Sequence, residues 1–224
     1  RFHVGLNRSF KVKRVAIVDY SIGNLFSVVQ ACKRIELDPF LTDDPAALKS
    51  SDAVILPGVG AFAKGMENLK SKGLDIAIKD FVTSGKPFFG ICLGMQLLCS
   101  ESEEFEKSQG LGLLEGQVLS FRQHVPEAAP VPQVMWNEIH PDQLNWENSP
   151  LSHIVPGTHY YFVHSYFCQF ASDISLSRTT YFGHTYTSSV LMNNIFATQF
   201  HPEKSGDEGL KIYRQWKAMF LDKE

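Results

Sequence analysis

Residues 86–100 decide the fold of this chain: Lys86-Pro-Phe-Phe-Gly-Ile-Cys-Leu-Gly-Met-Gln-Leu-Leu-Cys-Ser100. The apolar run at 87–91 predicts a buried strand, and the helix formers from Leu93 onward predict a helix. Between them, Gly90-Ile-Cys-Leu-Gly94 has the G-x-nucleophile-x-G pattern of a sharp strand-to-helix turn. Such a turn places Cys92 at a helix N-terminus, where the dipole favours the reactive thiolate. The alternative is an inert buried cysteine, and the two bracketing glycines argue against it.

The composition narrows the possible functions. With 224 residues, 44% hydrophobic and 20% charged, the chain is long enough for one large α/β domain. The formal net charge of −3 and the dispersed basic residues argue against nucleic-acid binding. No apolar stretch approaches membrane-spanning length. The four cysteines form no C-x-x-C pair, which predicts a reduced, cytoplasmic protein. The eight histidines lack metal-ligand spacing, so we expect no metal and no cofactor.

The order of the predicted elements indicates a parallel sheet. Strand patterns at 14–19, 52–56 and 87–91 alternate with helix patterns at 25–37, 61–71 and 74–83, with the first strand expected to be central. This alternation is typical of βαβ units. Ligands bind such sheets at the carboxyl ends of the strands. Three glycine-bearing turns fall there, at 23–24, 57–60 and 90–94, and they predict the position of a site.

The second half of the chain has a different texture. Strand-like segments rich in Tyr, Phe, Val and Thr occur at 114–122, 132–139, 158–167, 177–182 and 189–200. They predict an antiparallel extension of the sheet, closed by an amphipathic helix at 206–221. The acidic stretch 101–106 is expected to be a solvated helix end or loop. We therefore expect one domain over 14–224, preceded by an extension at 1–13 that is a flexible tail, an upstream-start extension or non-native sequence.

A nucleophilic cysteine needs a base, and the base needs an orienting group. His201 and Glu203 follow a predicted strand two residues apart, and in extended geometry they would share one face. Both could then point toward Cys92, with Glu203 selecting one imidazole tautomer. The alternative is a surface turn with a solvated glutamate.

Acyl transfer also needs hydrogen-bond donors for an oxyanion. The loop Pro57-Gly-Val-Gly60 follows a predicted parallel strand, and the backbone amides of Val59 and Leu93 are the candidate donors. A phosphate-binding turn is the alternative, but the loop lacks the Lys-Ser/Thr ending and the spacing of phosphate motifs.

Two motifs together, Gly90-Ile-Cys-Leu-Gly-Met-Gln96 and Gln199-Phe-His-Pro-Glu-Lys-Ser205, resemble the class I (triad) glutamine amidotransferases. Three further stretches resemble one branch of that family, the glutaminase subunits of imidazole glycerol phosphate synthase. These stretches are Asp19-Tyr-Ser-Ile-Gly-Asn-Leu25, Leu56-Pro-Gly-Val-Gly-Ala-Phe62 and Tyr160-Tyr-Phe-Val-His-Ser-Tyr166. The resemblance runs from about Arg14 to the C-terminus.

The resemblance implies a single-domain class I fold and a function. Cys92 would attack the side-chain amide of L-glutamine, His201 would move the proton, and Glu203 would orient His201. Ammonia would pass to a (β/α)8-barrel cyclase that makes imidazole glycerol phosphate and aminoimidazole carboxamide ribotide in histidine biosynthesis. The implied substrate-binding residues are Gly58, Gly60, Gln96, His164, Ser165 and Tyr166. Those facing the cyclase are Asn24, Trp136, Tyr161 and Lys204; alternatively, Trp136 and Tyr161 are core aromatics and Lys204 is a solvated charge.

One segment departs from the family pattern. The family usually has Pro-His-Met-Gly-Trp-Asn, whereas this chain has Pro132-Gln-Val-Met-Trp-Asn137. The departure leaves open a paralogue that supplies ammonia for amidination of a bacterial cell-surface sugar. A non-catalytic subunit with a vestigial site, and a protease or esterase, are further alternatives; the intact triad residues and the three substrate-loop motifs argue against them.

Overall fold

The computed structural model describes residues 12–105 and 107–222. Most of the predicted N-terminal extension, residues 1–11, therefore lies outside the described residues. The helices are α1 Leu25–Arg34, α2 Pro45–Ser50, α3 Phe62–Ser71, α4 Leu74–Thr83, α5 Leu93–Leu97 and α6 Gly206–Phe220. The strands are β1 Arg14–Val18, β2 Asp38–Thr42, β3 Ala53–Gly58, β4 Phe88–Cys92, β5 Glu101–Ser102, β6 Ser108–Gln109, β7 Gly116–Ser120, β8 Gln133–Glu138, β9 His140–Pro141, β10 His159–His164, β11 Tyr166–Phe170, β12 Ser175–Tyr181, β13 His184–Met192 and β14 Ile195–Thr198.

One twisted sheet contains most of these strands, in the order β2-β1-β3-β4-β14-β13-β11-β7-β5-β6. The part from β2 to β14 is parallel, and β13, β11 and β7 extend it in antiparallel fashion. The predicted parallel sheet with an antiparallel extension is thus confirmed. β12 and β9 branch from β13, and β8 and β10 form a separate two-stranded sheet.

Apart from the edge strand β2, both faces of the parallel part are buried, as continuous apolar strands require. In β1, Val15 and Ile17 belong to the core on one face, whereas Ala16 and Val18 belong to the core on the other. Helix α6 covers the first face with Trp216, whose ring centroid lies 5.5 Å from that of Phe89 in β4. Because β4 is packed from both sides, Cys92 at its end stands on a rigid support.

Several predicted elements need correction. β1 lies one strand in from the sheet edge, because β2, which the sequence pattern missed, pairs outside it. The predicted strand 158–167 is two strands in different sheets, since the chain leaves β10 at Ser165 and enters β11. The acidic stretch is not a solvated loop: β5 pairs with β7, and Glu104 is buried. Within the described residues, no helix is both long and apolar enough to cross a membrane.

Candidate active site

Three loops meet at the carboxyl edge of the parallel sheet. They follow β1, β3 and β4, which are adjacent in the sheet order. A Cβ atom placed on Gly23 in the first loop would lie 3.5 Å from the Cα atom of Gly58 in the second. A Cβ atom placed on Gly58 would in turn lie 3.0 Å from the Cβ atom of Leu93 in the third loop. The structure therefore assembles a site where the alternation of strands and helices predicted one.

Cys92 occupies a strained turn between β4 and α5. Its φ of 54° and ψ of −109° lie in a region that non-glycine residues adopt at a cost of about 1–3 kcal/mol. Gly94 makes this turn possible, because a Cβ atom there would lie 1.8 Å from the carbonyl oxygen of Leu56. The glycine after the cysteine is therefore required by close packing against β3, as the motif predicts. The Cys92 side chain is buried.

His201 and Glu203 form a buried pair, with the imidazole Nδ1 2.7 Å from the Glu203 Oε1. The predicted extended geometry is wrong, because Pro202–Lys204 forms a 3-10 turn. His201 is held in place by backbone bonds: its N–H donates to the Tyr161 carbonyl at 2.9 Å, and the Ser205 hydroxyl donates to its carbonyl at 2.7 Å. The proline directs the chain into the turn, and the turn, not a strand, brings the two side chains together.

The electrostatics of His201 favour its charged form. Burial alone would lower its pKa, but the Cys92 thiolate and the Glu203 carboxylate together raise the pKa of His201 to about 10. The imidazole Nε2 is buried without a hydrogen bond of regular geometry, and Cys92 is the neighbouring group that raises the pKa of His201 most. An imidazolium beside a thiolate is the resting state expected of an activated cysteine.

A cavity of 330 Å³ opens beside Cys92. Its volume lies within the range of small-molecule sites. A larger cavity of 440 Å³ lies between β11 and β13 and contains none of the triad residues. The predicted site residues that line the cavity beside Cys92 are Val59, Gly60, Cys92, Leu93, Gln96, His164, Ser165 and Tyr166. Gly58 does not line it.

The predicted oxyanion loop is anchored from below. The buried Tyr20 hydroxyl donates to the Pro57 carbonyl at 2.8 Å, and burial, reinforced by the charge of Cys92, raises the pKa of this phenol. A Cβ atom on Gly58 would lie 2.1 Å from the Tyr20 hydroxyl oxygen, which explains why glycine occupies that position. Val59 is partly exposed at the cavity wall, and Gly60 has a φ of 104°.

The opposite wall is a buried polar network. The Gln96 side-chain amide donates to the Tyr166 carbonyl at 3.0 Å, and His164 Nδ1 lies 2.7 Å from the same oxygen. Burial and the charge of His201 lower the pKa of His164 to about 3, although the hydrogen bond to the Tyr166 carbonyl opposes this shift. His164 is therefore neutral and donates from Nδ1 to that carbonyl.

Sequence reasoning missed two residues of this site. Glu104 lines the cavity, and its carboxylate accepts from the Phe62 backbone amide at 2.5 Å. Its position within a run of acidic residues concealed it, because such runs are usually solvated. In the sequence Gln199 is only the first residue of the motif that contains His201 and Glu203. In the structure its side-chain amide lies 3.6 Å from the Cys92 sulfur.

Three of the four predicted partner-facing residues form a patch next to the site, in which Trp136 is exposed and Tyr161 and Lys204 are half-buried. Trp136 is 50% exposed, so it is not a core aromatic. Its ring centroid lies 6.2 Å from that of Tyr161, and the Lys204 ammonium lies 5.8 Å from the centre of the Tyr161 ring. We call Trp136, Tyr161 and Lys204 the aromatic patch. Asn24 lies outside it, exposed on the loop after β1, where it donates to Ser27.

The segment that departs from the family pattern is partly buried. Gln133 is fully buried and accepts from the Tyr186 hydroxyl at 3.0 Å, whereas Val134 and Met135 are exposed. Only those two of the three replaced positions can therefore affect a docking surface. Across residues 12–105 and 107–222, no group of three or more His, Cys, Asp and Glu residues could hold a metal ion.

Comparisons with known proteins agree on the family. A model of glutamine amidotransferase class-I matches residues 16–217. The chain is 41% identical over 210 residues to imidazole glycerol phosphate synthase subunit HisH of Symbiobacterium thermophilum, covering 93% of this chain and 95% of that protein. The HisH subunit of Sulfurimonas denitrificans is 46% identical over 202 residues, covering 88% and 94%.

Solved structures share the fold at lower identity. A crystal structure of a glutamine amidotransferase superposes with a TM-score of 0.69 at 18% identity, covering 91% of this chain and 97% of that chain. The glutaminase domain of Trypanosoma brucei CTPS, with bound acivicin, gives 0.63 at 16% identity, covering 96% and 95%. With a family model over most of its length and relatives above 40% identity over nearly all of it, the chain belongs to the class-I glutamine amidotransferase family.

Proposed function

We propose that this chain hydrolyses L-glutamine to glutamate and ammonia through a thioester on Cys92. We further propose that the ammonia passes to a (β/α)8-barrel cyclase acting in histidine biosynthesis. The observation that carries the proposal is the proximity of the strained Cys92, which lines the cavity, to the buried His201–Glu203 pair behind it. The names of the relatives, subunits of imidazole glycerol phosphate synthase, support the choice of pathway.

The reaction follows from the resting ion pair. The Cys92 thiolate attacks the side-chain amide carbon of glutamine, and His201 gives its proton to the departing nitrogen, which leaves as ammonia. Water then attacks the thioester and gives a proton to His201, and the carbon–sulfur bond breaks to restore the thiolate. Glu203 keeps the imidazole oriented and stabilises its charged form in both halves. The amides of Val59 and Leu93 are the proposed donors to the oxyanion of each tetrahedral intermediate.

The cavity offers complementary groups for an amino acid. Glu104 is a carboxylate inside the cavity and is the natural partner of the substrate's α-ammonium group. Gln96 and residues 164–166, where β10 ends and β11 begins, form the opposite wall, with Gly60 at the loop side. Because His164 is neutral, it can line the wall without attracting another carboxylate in addition to that of Glu104.

Glu104→Gln is expected to raise the KM for glutamine at least about tenfold, because a hydrogen bond between charged groups is worth roughly 1.5–3 kcal/mol.

Burial raises the pKa of Glu104, although its bond from the Phe62 amide opposes the rise. The folded protein therefore holds this proton more tightly than the unfolded chain, and the ionised carboxylate destabilises the fold above its pKa. The neutral variant should keep or increase Tm.

Steady-state kinetics and thermal unfolding measure both effects. Glu103→Gln is the matched control, since Glu103 is the exposed neighbour in the same acidic run. A KM for glutamine that is the same in both variants would remove Glu104 from the binding site.

The aromatic patch is the proposed docking surface for the cyclase. An exposed tryptophan flanked by Val134 and Met135 is typical of a hot spot. The patch also adjoins the site, since the Tyr161 and His201 ring centroids are 6.3 Å apart. Ammonia formed at Cys92 would therefore be released close to a partner bound here.

Trp136→Ala is expected to weaken binding of the barrel cyclase by about 30-fold or more, a hot-spot loss of roughly 2 kcal/mol. Calorimetric titration of the two purified subunits measures the change. Ile76→Ala on α4 removes another exposed apolar side chain and should leave Kd unchanged. Equal affinities of the two variants would place the interface elsewhere.

The pathway itself has a direct test. Reconstitution with the cyclase should give glutamate release that depends on glutamine and on Cys92. Expression in a histidine auxotroph lacking its own glutaminase subunit should restore growth together with the matching cyclase. Glutamine hydrolysis without rescue would favour the alternative acceptor pathway, sugar amidination, which the replaced residues 133–135 leave open.

A further inference from the structure

We propose that Gln199 is a further catalytic residue, which donates a hydrogen bond from its side-chain amide to the Cys92 sulfur and stabilises the thiolate. The inference deepens the proposed function and rests on Cys92 being the nucleophile. Gln199 is fully buried, and its Nε2 lies 3.6 Å from the Cys92 Sγ. Its backbone is fixed at the end of β14, where its N–H donates to the Ser188 carbonyl at 2.9 Å.

The orientation of this amide follows from its neighbours. The Tyr166 carbonyl can only accept, so the Gln96 atom 3.0 Å from it must be the amide nitrogen. The second N–H of that nitrogen points to Gln199 at 3.1 Å and needs an acceptor, which must be the Gln199 Oε1. The Gln199 Nε2 is therefore the atom that faces the sulfur, and a backbone carbonyl fixes the polarity of the whole chain of bonds.

An amide donor has a different role from the imidazolium on the other side of the sulfur. His201 gives up its proton during the reaction, whereas an amide N–H donates at every stage and never transfers its proton. A thiolate accepts such a bond far better than a thiol or a thioester sulfur. Gln199 should therefore stabilise the resting nucleophile and the thiolate that leaves when water cleaves the thioester.

The same side chain also orients a wall of the substrate cavity. Gln96, which lines the cavity, makes one of its two hydrogen bonds to the Gln199 oxygen. One buried amide thus links the nucleophile to a residue proposed to contact glutamine. Replacing Gln199 should change the environment of the Cys92 sulfur directly. It should also change the position of Gln96, because Gln96 loses its hydrogen-bond acceptor.

Two variants separate these effects. Gln199→Leu removes donor and acceptor at similar volume, whereas Gln199→Glu keeps the size and the acceptor for Gln96 but removes the amide donor. Gln133→Leu is the matched control, because Gln133 is an equally buried glutamine whose side-chain partner is Tyr186 and not the sulfur. Iodoacetamide alkylation of Cys92 as a function of pH, followed by peptide mass spectrometry, reports the thiolate without requiring turnover.

We expect the midpoint of the alkylation profile to move up by about one pH unit in Gln199→Leu, and at least as far in Gln199→Glu. The control should keep the parent midpoint. In the complex with the cyclase, kcat for glutamine should fall about tenfold in both Gln199 variants. If either folded Gln199 variant keeps the parent midpoint within about 0.2 pH unit, the proposal is overturned. If the midpoint moves but the parent complex hydrolyses no glutamine, Gln199 still stabilises the thiolate and the proposed function fails instead.

Discussion

A Cys92→Ala variant is expected to lose glutamine hydrolysis by a factor of about 10⁴–10⁶, since removal of a nucleophile has effects of this size in other enzymes. Among the described residues that line the cavity, Cys92 is the only cysteine, so no other residue there can form the thioester. The same variant should keep synthesis from free ammonia when bound to the cyclase, because the ammonia-consuming step belongs to the partner. Glutamate release and product formation, measured in parallel with glutamine and with ammonium salts, distinguish the two activities.

Cys32→Ala is the control for loss of a buried thiol. Cys32 is fully buried in α1, and burial raises its pKa to about 12, so its thiol is inert at neutral pH. This variant should keep both activities. If Cys92→Ala lost both activities while remaining folded and bound to the cyclase, the proposed division of labour between the subunits would be wrong.

A Glu203→Gln variant is expected to reduce kcat about 10⁴-fold, the size of the effect seen when a triad loses its orienting carboxylate. The partner of the imidazole across the 2.7 Å contact would become a neutral amide, which removes one of the charges that keep the pKa of His201 high. The pKa of His201 should therefore fall, and the imidazolium should be lost at lower pH than in the parent. Measurement of kcat as a function of pH should show the alkaline limb moving to lower pH.

The control for Glu203→Gln is Glu208→Gln on α6. Glu208 pairs with Lys211 at the surface, where ion pairs contribute at most about 1 kcal/mol. This variant should leave kcat and its pH profile unchanged. An unaltered alkaline limb in Glu203→Gln would mean that the carboxylate only supports the turn and does not stabilise the imidazolium.

The sequence pattern predicted those parts of the fold that depend on one local physical cause. Gly94 indicated the turn after Cys92 because no Cβ fits there against Leu56, and the predicted bounds of α4 are those observed. The separate β8–β10 sheet was invisible to the sequence, because a strand pattern does not say which partner a strand takes. For the same reason the break at Ser165 went unnoticed.

Site residues could be predicted from the sequence where they belong to a short motif. They could not be predicted where only their burial in the fold brings them to the site. Cys92, His201 and Glu203 stand in short motifs with a clear chemical purpose. Glu104 and Gln199 act through tertiary contacts, with residues 42 and 107 positions away, and a side chain's burial is a property of the whole fold. The His201–Glu203 pair was anticipated for the wrong geometric reason, since two residues can meet across a turn as well as along a strand.

The hydrogen bond from the His201 N–H to the Tyr161 carbonyl joins the proposed general base to β10, the strand that carries Tyr161 of the aromatic patch. The Tyr161 N–H is in turn held by the Ser205 hydroxyl at 3.1 Å, which clamps the strand to the triad turn from both directions. We therefore expect affinity for the proposed cyclase partner and turnover to change together. A substitution that shifts this strand to accommodate a different partner should also move the imidazole, so we expect a change of partner to require compensating changes around His201.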